Sequence, residues 1–339
     1  MRQRSVRPAP RARSWPGTTP VLVLIVVLAA ALAGVWGLAG AVGSSRDIED
    51  PDATRAWLAS EALTEARHWE GLTAGQAEAI REDLQQQLDA MGPEPSQSAR
   101  ERAAEEADDE TQLVQYSTVT DPQRALLSTA RELLDLPAAD RQQRAVNVSA
   151  AAYRAAVAVD LGADPGSATS LVPEPAEEAA SAVTEGPAED GSSPAPSDEP
   201  AFGLASALAG TRFAAQTWEA LPKGERPRPG DWSRSLDPVL DGAWLRAMTA
   251  RSPGVVSGQP SMPAGFRSEP GRALDRLMAD LTDAAAAQIL DAGEDPRASA
   301  PGEAVLLRAV VTQVRVRGID AAPGDAAAGL EALPGLETG

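Results

Sequence analysis

The sequence predicts a mainly α-helical protein: a single N-terminal transmembrane helix followed by an extracytoplasmic, bundle-like helical region. Three observations carry this expectation. The uncharged run Val21–Val42 has five arginines before it and a cluster of acids after it. Beyond it, apolar residues recur at spacings of three and four, the repeat of one helix face. Asp-Pro and Thr-x-x-Gln steps open these stretches and Gly or Gly-Pro steps close them, as helix caps do.

Twenty-two residues at ~1.5 Å each reach ~33 Å, enough to cross a hydrocarbon core of ~30 Å. Arg2, Arg4, Arg7, Arg11 and Arg13 precede the run without an acidic residue, whereas Asp47, Glu49, Asp50 and Asp52 follow Arg46. Basic flanks stay on the cytoplasmic side. Residues 1–20 are therefore expected as a basic cytoplasmic tail, 21–42 as the span, and residues from 46 onward as extracytoplasmic. Trp15 and Trp36 fall near the two ends, where indoles favour the headgroup level. Ala39-Gly40-Ala41 also fits a signal-peptide cleavage pattern, but a secretory apolar core is usually ~7–15 residues and this one is longer. Both readings export the same body. Within the run, Ala29, Ala33, Gly37 and Ala41 form a small-residue stripe of the kind that lets membrane helices self-associate. A chain this rich in Ala and Gly also produces such a stripe by chance.

Alanine supplies 68 of 339 residues, and the basic set is 29 Arg with the single lysine Lys223. This skew is what codon bias in a GC-rich genome produces, and on composition alone an actinobacterial source is expected. With the five leading arginines set aside, 25 basic residues face 49 acidic ones, a formal charge of −24 on the exported part. Such a surface repels nucleic-acid phosphates and anionic headgroups. No cysteine is present, so neither disulfides nor thioester lipidation contribute, and the fold rests on packing. Alanine brings few methylenes to that packing, each worth ~0.8 kcal/mol, so seven Trp are expected to anchor the core.

The exported part reads as two helical halves, 46–162 and 201–319. Asp50-Pro51 caps a first helix running to about Trp69 and stopping at Gly71. Thr73-Ala74-Gly75-Gln76 is a capping box for a second, striped by Ala77, Ile80, Leu84, Leu88 and Met91 and ended by Gly92-Pro93. The two form an antiparallel hairpin. Residues 93–110 read as a linker or frayed helix, and Leu113–Val119 as a short strand. Asp121-Pro122 opens a helix through Leu126, Ala130 and Leu133. Another follows through Val146, Ala150, Tyr153, Val157 and Leu161. Residues 163–200, poor in large apolar side chains, are expected as a disordered Pro/Ala/Glu-rich linker. In the second half, Leu204, Leu208, Thr211, Ala215 and Trp218 stripe one helix, and Asp237-Pro238 caps another with Leu240, Trp244 and Ala247. A long helix carries Leu274, Leu277, Leu281, Ala285 and Ile289 up to Gly293. Val310–Val316 fits a strand paired with Gln112–Thr120 as well as it fits a helix. Residues 320–339 are expected as a disordered tail.

Catalytic chemistry is hard to assemble from these residues. His68 is the only histidine. Glu65-x-x-His68 matches half of a di-iron motif, but the second half has no histidine to use. No G-x-S-x-G elbow, Walker loop or EF-hand is present. The acids Glu105, Glu106, Asp108, Asp109 and Glu110 lie in a polar stretch that offers no burial to raise a catalytic pKa. No catalytic, cofactor-binding or metal residue is therefore nominated. The expectation is a membrane-anchored helical interaction or scaffold protein of a bacterial envelope, with an envelope protein as partner and no nucleic acid. A glycan-directed hydrolase using two carboxylates, or a degenerate ferritin-like bundle binding a small ligand, are the alternatives.

Overall fold

The computed structural model describes residues 51–64, 69–106, 121–138, 140–184, 200–222, 232–251, 262–292, 296–318 and 325–336. All belong to one compact unit, Ile48–Gly339. The span Val21–Val42, its arginines and its small-residue stripe lie outside the described residues. Among the described residues no helix is long and apolar enough to cross a membrane.

The first helices follow the sequence closely. Helix α1 is Pro51–Thr64 and α2 is Ala74–Met91, with the Thr73–Gln76 capping box formed in both directions. The expected frayed stretch contains α3, Gln97–Glu106, which packs on α1. There Arg100 lies over the Trp57 ring at 5.2 Å and pairs with Glu61 and Glu94. Helix α4, Pro122–Asp135, is capped by Asp121, whose carboxylate accepts from the Gln123 and Arg124 amides. Helix α5, Arg141–Asp160, is capped by Asp140 in the same way.

Two helices form the centre. Every residue of α5 from Ala145 to Ala158 is buried, so this stretch has no solvent face. Helix α12, Pro296–Arg317, is buried along most of its length as well. A helix enclosed on all sides needs small side chains wherever neighbours crowd it, and the alanines of both helices meet that need. Helix α11, Pro270–Asp291, lies antiparallel to α12, and both contact α5. At Gly302 of α12 a Cβ would sit 2.7 Å from the Ala285 carbonyl oxygen and 2.9 Å from Ile289 Cγ1. The helix pair approaches this closely because one residue has no side chain. Around this centre α4 packs on α5, and α8, Pro200–Ala220, packs on α11. The α8 stripe of Leu204, Leu208, Thr211, Ala215 and Trp218 is buried as expected. Trp218 meets Trp232 and Phe266 edge-on, with centroids 6.1 and 5.0 Å apart.

Four expectations need correction. Residues 310–317 are helical, so of the two readings open there the helix is the one that holds; the expected strand at Leu113–Val119 lies outside the described residues, among which there is no strand. The Val-rich alternation does not mark a strand because α12 is buried on nearly every face, so its apolar residues are not confined to one helical stripe. Asp237 is not a cap. A 3-10 turn, Trp232–Ser235, leads into the single turn α9, Asp237–Leu240, and Gly242 separates it from α10, Ala243–Arg251. The stretch expected to be an unstructured linker begins with α6, Pro165–Thr169, and α7, Glu178–Thr184. Ala168, Val172, Ala179 and Ala180 are buried there, and Arg308 of α12 donates to the Val172 carbonyl at 3.1 Å. Residues 185–199 lie outside the described set.

The C-terminal stretch is likewise packed rather than a loose tail. Leu330 and Leu333 are buried, Gln87 donates to the Ala332 carbonyl at 2.8 Å, and Ser149 donates to that of Pro334 at 2.8 Å. Gly335 holds φ 75°, and a Cβ there would meet Ala286 Cβ at 2.8 Å. With α11, α12 and this segment locked by two glycines, Gly302→Val is expected to cost about 3 kcal/mol through overpacking. Thermal unfolding followed by circular dichroism checks this, with Gly203→Ala on α8, where a Cβ meets nothing within 4 Å, as the tolerated control.

Candidate functional site

Buried polar groups are the first place to look for chemistry, because the loss of water at each must be offset by a partner. In this chain they join helices. Arg154 on α5, fully buried, donates to Gln87 of α2 at 3.0 Å and to Ser60 of α1 at 2.9 Å. Arg144 makes a two-pronged contact with Glu303 of α12, at 2.8 and 2.5 Å, and also donates to the Leu134 carbonyl of α4. Ser299 donates to the same Glu303 carboxylate. Asp275 of α11 accepts from Gln313 and Arg317 of α12. Burial pushes the Asp275 carboxyl up, but the bonds from Arg317 and Gln313 outweigh it and hold the group below the usual carboxylate range. Each set crosses two or three elements, and none of these residues lines the concavities described below. Glu303→Gln leaves the half-buried Arg144 guanidinium without its counter-charge and is expected to cost about 2–3 kcal/mol, read from the urea unfolding midpoint.

Tyr153 of α5 donates its hydroxyl to Asp83 of α2. Burial, then the adjacent Asp83 charge, pushes the phenol well above its ordinary value of 10.0, and burial raises Asp83 above 3.8. Both groups hold their protons more tightly when folded, so this pair's contribution falls as pH rises, above 3.8 for Asp83 and above 10 for Tyr153. With one lysine and two tyrosines in the chain, little else titrates near pH 10. Tyr153→Phe should therefore flatten the loss of stability above pH 10, measured as the urea midpoint against pH.

Among the described residues no group of three or more His, Cys, Asp or Glu side chains could hold a metal ion. His68 and Glu65 lie outside the described set, as do Asp108, Asp109 and Glu110. Glu105 is exposed on α3. Asp237, exposed as the first residue of α9, is raised by burial and then by the charges of Asp241 and Glu219.

Among the described residues, two surface concavities stand out. The first is a groove of about 500 Å³ between α8 and α10, lined by Ala209, Phe213 and Gln216 from one helix and Leu245, Thr249 and Ala250 from the other. Phe213 is the exposed large apolar side chain of the described residues, at 38 %. Arg212 and Arg246 stand on its rim, and Arg212 pairs with Asp241 at 3.0 Å. The second, of about 460 Å³, lies between α4 and α6. Its walls carry Arg124, Ser128 and Arg131 on one side and Asp164 and Ser167 on the other, over Leu127 and Leu171.

Neither concavity was nominated from the sequence. The signal for the groove is a second stripe on α8, Ala209–Phe213–Gln216, spaced four and three and set apart from the buried one. Arg124 and Arg131 look like ordinary solvated charges until α6, in the supposed linker, folds over them. In comparisons with protein-family models, curated proteins and solved structures, this chain matches none.

Proposed function

We propose that this chain is a single-pass, membrane-anchored interaction protein of a bacterial envelope, its N-terminus in the cytoplasm and its helical unit outside. The anchor rests on the charge asymmetry around Val21–Val42. The interaction role rests chiefly on one observation, the apolar groove between α8 and α10 with Phe213 exposed in it. Helix-in-groove recognition uses such a trough, with anchors at helical spacing filling it. The guanidinium groups of Arg212 and Arg246 at the rim favour an acidic flank on the partner helix, which gives the pairing its orientation. An amphipathic helix of a neighbouring envelope protein, apolar on one face and acidic beside it, is the occupant this reading assigns.

Protease added to intact spheroplasts should digest the helical unit and spare the arginine-bearing end; the reverse pattern overturns the topology. For the groove, a photo-crosslinker placed at Gln216 in the full chain should capture one discrete partner in cells. Phe213→Asp should abolish that adduct while leaving the thermal midpoint within about 1 °C, since surface changes cost within ~0.5 kcal/mol. An undiminished adduct in Phe213→Asp sinks the docking reading.

A further inference from the structure

The concavity between α4 and α6 is unrelated to the groove and has a different chemical character. Arg124 and Arg131 are seven residues apart on α4, two turns or ~10 Å along the helix, and both line this one hollow. No ion pair engages either guanidinium among the described residues, in a chain with a large excess of acids. The two carboxylates nearest to hand are engaged elsewhere. Asp121 accepts from the Gln123 and Arg124 amides at 3.1 and 3.3 Å. Asp164 accepts from the Ser167 amide at 2.7 Å and its hydroxyl at 3.0 Å, and those bonds hold it below the usual carboxylate range, so it stays ionised. The floor is apolar, formed by Leu127 and Leu171, and the volume of about 460 Å³ suits a small organic molecule.

Guanidinium forks recognise carboxylates through paired, parallel hydrogen bonds, and two forks at the ends of an apolar trough match a ligand with an acid at each end. We propose that the α4–α6 concavity binds an elongated organic dicarboxylate, its two carboxylates on Arg124 and Arg131 and its aliphatic body over Leu127 and Leu171. Asp164 on the opposite wall sets a counter-field that orients the acids toward α4, while Asp121, at the start of α4 itself, tempers the attraction at Arg124 and keeps the affinity modest and salt-dependent.

The probe is suberate, whose extended chain is comparable in length to the ~10 Å rise between the two arginine positions along α4. Isothermal titration of the full chain in detergent at low ionic strength should give saturable one-to-one binding, weakened by added salt. The diol of equal length should give none. The double variant R124Q/R131Q should bind suberate at least tenfold more weakly with an unchanged thermal midpoint, because both side chains are exposed. Phe213→Asp should bind as the parent does, which separates this site from the groove. No saturable binding of suberate, or equal affinity in R124Q/R131Q, overturns the proposal. So does equal binding of the diol, which would reduce the site to an apolar trough.

Discussion

The distance between α11 and α12 is set where Gly302 faces the backbone of Ala285, and much of the unit is arranged around that contact. No side chain fits between the two helices there, so their main chains meet directly and the flanking alanines close the seam. Dispersion falls off steeply with separation, and backbone this close recovers contact energy that small side chains cannot supply through their own bulk. An alanine-rich sequence has few methylenes to bury, and close approach is how it compensates. The same logic allows α5 to be enclosed on all sides.

Close approach alone does not fix which helix lies where. Alanine surfaces are nearly uniform and slide past one another at little cost. The buried polar contacts supply the register: Arg144 to Glu303 between α5 and α12, Arg154 to Ser60 and Gln87 between α5 and the α1–α2 pair, and Asp275 to Arg317 between α11 and α12. Each forms in one alignment and would strand a charge in any other. That penalty, larger than the net gain from forming the contact, is what makes the arrangement specific.

The segments expected to be unstructured follow the same physics. Residues 165–184 and 325–336 are rich in Ala, Gly, Pro and acid and bring only a few large apolar side chains, yet those few include Val172, Leu330 and Leu333, which are buried. Their ordering is supported by side chains from distant elements: Arg308 bonds the Val172 carbonyl, while Gln87, Ser149 and Asp160 bond the backbone of the C-terminal stretch. A local reading of composition sees only what a segment brings with it. The α4–α6 concavity exists because one of these segments folds back onto α4.

By itself the sequence determined the helical class, the start of α2 and α4 through Thr73 and Asp121, and the buried faces of α2, α4, α8 and α11. Those features depend on bonds and periodicities within a few residues, which are written locally. Tertiary structure alone decided that Val310–Val316 is helix, that Asp237 sits inside a short turn instead of capping one, and that residues 165–184 and 325–336 pack. It also decided where the two concavities among the described residues lie. Enclosure by distant neighbours erases the periodicity of α12, and a groove is a property of two helices that chain order does not make adjacent.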